Sequence, residues 1–201
     1  MKTICIGRNY VDHIHELQNA IPENPVIFMK PNTAILKDNK PFFHPEWSSE
    51  IHYETELVLK ISKQGKYIQE KFAHKYYQEI GLGIDFTARD LQNNLKAKGL
   101  PWEIAKAFDS SAVVGNFVDK AKLSSPILFH LLLNGNKVQT GNSSLMLYSF
   151  DKIISYISQF FTLQLGDLIY TGTPAGVGKI AIGDKLEGFL EEQKMFECEI
   201  K

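Results

Sequence analysis

The run IHYETELVLKI at residues 51–61 constrains the fold more than any other part of the chain. Ile51, Tyr53, Leu57, Leu59 and Ile61 alternate with His52, Glu54, Glu56 and Lys60, and an extended strand is the conformation that puts the first set on one side and the second on the other. A sheet with one face against an apolar core follows. Side chains two apart in a strand point the same way, so the carboxylates of Glu54 and Glu56 leave Cα atoms roughly 6.5 Å apart toward a common point.

Around this strand the pattern predicts further strands and helices in irregular order. Residues 3–7 read as a strand, and Asn9 as the cap of a helix that stacks Tyr10, Ile14 and Leu17 at i, i+4 and i+7. A strand over 26–29 is bracketed by prolines, and 32–49 read as turns and short extended pieces. Phe72, Tyr76 and Ile80 predict a helix over 69–80, followed by a short strand over 81–84 that ends at Asp85. Residues 88–98 predict a helix stopped by Gly99 and Pro101, and 126–140 a hairpin turning at Asn134-Gly135. An amphipathic helix over 151–161 precedes strands over 168–171, 185–190 and 195–200, with a TGTPAGVG loop after the first. Strands outnumber helices and no βαβ repeat appears, so the expected class is α+β, a mixed and strongly curved sheet with a few peripheral helices.

A chain of 201 residues with 44% hydrophobic content suits one core, and hence a single domain over 1–201. The net charge of -1, with basic residues spread along the chain, removes the electrostatic footprint a nucleic-acid binder needs. The start MKTICIGRNYVDH meets charge before any apolar segment forms, and no stretch reaches the length of a membrane span, so neither a signal peptide nor a membrane partner is expected. Cys5 and Cys198 are too few for a disulfide framework, and a reducing cytoplasm is the natural setting.

The chemistry concentrates in acids. Asp85 ends an apolar run, where a buried carboxylate without a partner would cost several kcal/mol. One cation shared with Glu54 and Glu56 would satisfy all three; for the glutamates alone, a solvated strand face is the alternative. Oxygen donors without cysteine or an evident histidine select a hard cation, Mg²⁺ or Mn²⁺ over Zn²⁺. Three carboxylates against one dication leave about one negative charge, so an anionic substrate needs cations nearby. Lys106 and Arg8 are the candidates, with ordinary surface charges as the alternative. His13 and Glu16 lie one helical turn apart, so the carboxylate can orient the imidazole as a general base, unless both sit on an exposed helix face. The TGTPAGVG loop can offer backbone N–H groups and hydroxyls to a small anion, or be a plain turn; it lacks the spacing and lysine of a phosphate-binding loop.

In this setting GRNYVDHIHEL at 7–17, PVIFMKP at 25–31, IHYETEL at 51–57, GLGIDFTARDLQ at 81–92, KGLPWEIAKAFD at 98–109 and GDLIYTGTPAGVG at 166–178 together resemble the fumarylacetoacetate hydrolase family, and within it the small single-domain acylpyruvase and oxaloacetate decarboxylase branch. The chain departs from it after Lys30-Pro31, where Asn32-Thr33 stand in place of a common serine. The resemblance implies metal ligands at Glu54, Glu56 and Asp85, an active-site lysine at Lys106, and the His and Glu of a mobile lid at His13 and Glu16, the lid spanning 8–20. It implies substrate contacts at Gln92 and Thr173, with Arg8 and Tyr10 beside the lid. It further implies a rolled mixed β-sheet, a homodimer, and Mg²⁺, with Mn²⁺ possible. The expected activity is metal-dependent hydrolysis or decarboxylation at carbon–carbon bonds of small 2-oxo acids. The rivals are an isomerase or tautomerase of 2-oxo or 2-hydroxydienoic diacids and a non-catalytic metal-dependent dicarboxylate-binding protein.

Overall fold

The structure, a computed structural model, describes residues 1–18 and 20–201. The expected lid over 8–20 thus includes one residue, 19, that lies outside the described residues. The first half of the chain forms β1 (Thr3–Gly7), α1 (Val11–Glu16), β2 (Val26–Lys30), β3 (Ile35–Leu36), β4 (Ile51–Tyr53), β5 (Thr55–Ile61), α2 (Glu70–Ala73), β6 (Tyr77–Asp85), β7 (Thr87–Ala88) and α3 (Arg89–Ala97). The second half adds α4 (Glu103–Lys106), β8 (Ala112–Asp119), β9 (Leu128–Leu133), β10 (Asn136–Asn142), α5 (Phe150–Phe160), β11 (Leu168–Tyr170), β12 (Gly178–Lys179), β13 (Lys185–Leu190) and β14 (Gln193–Glu199).

A strongly curved mixed sheet in the order β2-β1-β11-β5-β6-β8-β3 is the frame, with β1 parallel to β11 and β3 parallel to β8. A four-stranded sheet, β10-β9-β13-β14, and a small one, β12-β4-β7, complete the α+β architecture. One face of the large sheet presents Leu57, Leu59, Leu82 and Ile84 to Phe129, Leu131, Leu186 and Phe196 of the four-stranded sheet and to Ile153, Ile154 and Ile157 of α5, all in one apolar cluster. The opposite face buries Cys5, Val58, Ala112, Leu168 and Tyr170 in a second, smaller cluster. Among the described residues no helix is long and apolar enough to cross a membrane.

Three expectations need correction. The strand expected over 51–61 is interrupted at Glu54, because 51–53 pair with β12 and β7 while 55–61 pair with β11 and β6; one chain segment serves two sheets. The helix expected over 69–80 is confined to α2, and Tyr77 through Ile80 open β6 instead. Phe72 is 43% exposed, so the apolar stripe buries little, whereas β6 gains hydrogen-bonded neighbours on both sides. Asn9 does not cap α1; Tyr10 holds that position without a side-chain cap. The buried Asn9 amide instead donates to Thr171 O at 2.8 Å and Tyr148 O at 3.1 Å and accepts from Tyr148 N at 2.8 Å. The hairpin turns at Asn134-Gly135 as expected, both residues at positive φ (52° and 80°), and Ser149 caps α5 through Lys152 N.

Candidate metal and acid–base site

Strand register builds the carboxylate cluster. Thr55 pairs with Ile84 and Glu56 with Gly83, so Glu54 comes beside Asp85, whose N–H donates to Glu54 O at 2.8 Å. Paired residues project to the same face. Ile84 and Leu57 fall on the core side, which leaves Glu54, Glu56 and Asp85 together on the other, all buried, with ligand oxygens within 4.8 Å of one another.

Three buried cations balance them. Lys106 Nζ, carried by the short α4, donates to Glu54 Oε2 and Asp85 Oδ2, both at 2.7 Å, and to Thr87 Oγ1 at 2.6 Å. Lys30 Nζ, at the end of β2, lies 2.8 Å from Asp85 Oδ1 and also bonds Ser111 Oγ and the Lys106 carbonyl. Arg89 pairs with Glu54 and holds Gln92 Oε1. The electrostatics divide the acids. Burial alone would raise Glu54, but Lys106 and Arg89 reverse this and hold it far below the usual carboxylate range. Glu56 receives Gly172 N–H at 2.7 Å, and burial followed by repulsion from Asp85 and Glu54 pushes it well above that range. For Lys106, burial works downward, yet Asp85 and Glu54 outweigh it and keep the ammonium charged. The set fits a hard divalent cation: three oxygen donors converge, and Lys30, Lys106 and Arg89 pair with Glu54 and Asp85 rather than with Glu56.

The Gly172 N–H reaches Glu56 because the TGTP loop turns sharply there. Gly172 has φ +101°, and a Cβ on it would lie 2.6 Å from Asn9 Cβ. Asn9 thereby locks the start of the α1 segment to this loop. His13, buried on α1, has Nδ1 3.1 Å from Glu16 Oε2, and Glu16 Oε1 accepts Gly176 N–H at 3.0 Å. The pair is neither an exposed helix face nor isolated. His13, Arg8, Glu54, Glu56, Asp85, Arg89, Gln92, Lys106 and Thr173 line one cavity of about 30 Å³, roughly the room of one water molecule.

Of the expected site residues, the cavity thus gathers all except Tyr10 and Glu16. Glu16 stands behind His13, and Tyr10 packs in the main apolar cluster with its hydroxyl buried. Arg8 lines the same cavity but, among the described residues, forms no ion pair with the carboxylates; its guanidinium lies over the Trp102 ring at 5.9 Å, and direct pairing is left to other cations. That role falls to Lys30 and Arg89, neither of which sequence reasoning singled out, although both sit inside quoted motifs. Thr87 and Gln139 were missed as well. An unpaired cation next to a proline or at a helix start was the available signal for Lys30 and Arg89, and it is a weak one.

The sequence pattern described as fumarylacetoacetate (FAA) hydrolase C-terminal matches residues 2–201. The chain is 43% identical over 190 residues to the mouse (Mus musculus) protein named oxaloacetate tautomerase FAHD1, mitochondrial, covering 94% of this chain and 86% of that one. Its structure is similar to that of fumarylpyruvate hydrolase from Pseudomonas aeruginosa in complex with Mn²⁺ and pyruvate, with a TM-score of 0.93 and 32% identity, covering 100% of this chain and 89% of that one. It is also similar to 2-hydroxyhepta-2,4-diene-1,7-dioate isomerase from Mycobacterium marinum, with a TM-score of 0.86 and 34% identity, covering 99% and 73%.

Proposed function

We propose, from the premise that this chain belongs to the fumarylacetoacetate hydrolase family, that it is a divalent-metal-dependent enzyme interconverting the enol and keto forms of a small 2-oxo diacid of the oxaloacetate type. The observation that carries this is a single cavity shared by a Glu-oriented histidine, a charged buried lysine and three convergent carboxylates. Oxaloacetate comes first because of the mouse relative's name. Carbon–carbon cleavage, ranked first on sequence grounds, becomes the second reading; a His13–Glu16 pair in a water-sized cavity suits water activation, and the name of the Pseudomonas relative favours it.

Glu54, Glu56 and Asp85 would hold the cation, Mg²⁺ or Mn²⁺, which when bound polarises the 2-oxo and carboxylate oxygens of a ligand. Lys30, Lys106 and Arg89 already match the three carboxylates in number, so a dication leaves excess positive charge, which complements a dicarboxylate. Lys106 stabilises negative charge as it develops on the 2-oxo oxygen. In the keto-to-enol direction His13, held by Glu16, takes a proton from C3 and the 2-oxo oxygen gains one; in the reverse direction the enol O–H proton is lost and His13 delivers a proton to C3. Thr173 and Gln92 grip the oxo-carboxylate end, and Arg8 lines the same cavity. His13 and Leu17 of the α1 segment line the small cavity, so movement of that segment would widen it for a diacid, which supports its role as a lid. The apolar cleft of about 940 Å³ at Met29, Trp47, Leu91, Ile104 and Phe108 supports a homodimer, checked by sedimentation. Cys5 and Cys198, both free and buried, suit a reducing cytoplasm.

Following the enol absorbance of oxaloacetate with Mn²⁺ and with chelator, alongside pyruvate release, tests the assignment. Metal-dependent loss of enol without pyruvate is expected. Pyruvate formed at the same rate moves the assignment to cleavage, and a flat trace refutes catalysis on this substrate.

A further inference from the structure

Gln139 is 2% exposed and sits in β10 directly after a break in register: Lys137 pairs with Leu132 and Gln139 with Leu131, which leaves Val138 as an extra residue. A bulge of this kind re-aims the side chain that follows it. Here it sends an amide into the wall behind the cavity. Oε1 accepts Thr55 N–H at 3.0 Å, and Nε2 donates to Thr173 Oγ1 at 2.9 Å and to Pro174 O at 3.0 Å. The surroundings fix which end is which. Turned over, the NH₂ would face the Thr55 N–H and the amide oxygen would face the Pro174 carbonyl, a repulsive contact at both ends.

This fixed amide decides the state of a hydroxyl. Thr173 Oγ1 has one hydrogen, and Gln139 occupies the oxygen as a donor. Among the described residues the hydrogen's partner is Pro174 O at 3.5 Å, a contact at the long limit to a carbonyl that already accepts from Gln139 at 3.0 Å. Thr173 lines the cavity, so its hydrogen is available to an acceptor there. Thr55 also lies between Glu54 and Glu56, so the same amide ties the loop bearing Thr173 to the segment bearing two of the three convergent carboxylates.

We propose that Gln139 is a positioning residue that sets Thr173 as a hydrogen-bond donor into the cavity, and thereby selects a carboxylate-like acceptor at that end of the ligand. This rests on the reading above in which Thr173 grips the substrate.

Gln139→Glu keeps the shape and, when ionised, can only accept, so it draws the Thr173 hydrogen away from the cavity; the constants are therefore measured at the alkaline end of the enzyme's working range, where the new carboxyl is charged. Gln139→Met removes the contacts without adding charge and serves if the first variant does not fold. A charge-assisted hydrogen bond is lost, so KM for oxaloacetate and the inhibition constant of pyruvate should rise about tenfold or more in Gln139→Glu, with kcat changed less. Gln139→Met should give a smaller rise in the same constants. Thr173→Val alone should match the larger effect, and in the Thr173→Val background either Gln139 substitution should add nothing further. Unchanged constants in a folded Gln139 variant, or equal effects with and without Thr173→Val, would overturn the proposal. An inert Thr173→Val would instead show that Thr173 does not hold the substrate, which removes the premise and the proposal with it.

Discussion

Replacing Lys106 by Met removes the ammonium that joins Glu54 Oε2, Asp85 Oδ2 and Thr87 Oγ1 while keeping an unbranched side chain of similar length. In chelator, Glu54 is then left with Arg89 and Asp85 with Lys30. Removing one partner of a buried ion pair costs about 3–5 kcal/mol because the remaining charge stays in a poorly solvated site. Each carboxylate retains one cation, so the lower end, about 3 kcal/mol, is expected. For a chain of this size that lowers the melting temperature by about 6–12 °C. Calorimetry in chelator measures the loss, and repeating it with Mn²⁺ should show partial recovery, since the ion supplies positive charge beside the same oxygens. Turnover should not recover; loss of a preorganised cation at the developing oxyanion costs about 10²–10³-fold. An unchanged melting temperature in chelator would refute Lys106 as the balancing charge, and full turnover at saturating Mn²⁺ would refute its part in the chemistry.

Glu56 has a raised pKa in the folded, metal-free protein, so it favours folding fully at pH below its unfolded value, and that contribution is lost as pH rises through the folded one. The rise in melting temperature given by a fixed Mn²⁺ concentration should therefore grow from about pH 5 to pH 8; a rise that shrinks over that range would contradict the assignment. Gly172→Ala forces a Cβ against Asn9 at a backbone with φ +101°, so the loop should shift, withdraw its N–H from Glu56, and cost about 1–3 kcal/mol together with weaker Mn²⁺ binding by titration calorimetry. His13→Ala should lower turnover about 10²-fold or more with Mn²⁺ binding intact, and unaltered turnover would remove the general base from the scheme.

The carboxylate cluster was legible because two short-range rules place it. Period-two alternation put Glu54 and Glu56 on one face, and an acid ending the apolar run 81–84 made Asp85 costly without a partner. The His13–Glu16 contact likewise follows from helical spacing. Of the cations that balance the acids, Lys106 was a candidate on sequence grounds, but Lys30 and Arg89 were not legible, since they reach Asp85 and Glu54 across 55 and 35 residues of chain and only the pairing of strands decides that. Gln139 depends on a bulge that no local pattern announces. The mistaken helix over 69–80 has the same origin: Phe72, Tyr76 and Ile80 have helical spacing, but Ile80 gains more as part of a strand held on both edges.

Titration of the chelator-treated protein with Mn²⁺, followed by the electron paramagnetic resonance of the free ion, tests the central claim most directly. One ion bound per chain is predicted, with that binding abolished or greatly weakened in Glu56→Gln and in Asp85→Asn. Binding that is absent in the unaltered chain, or equally strong in both variants, would contradict it.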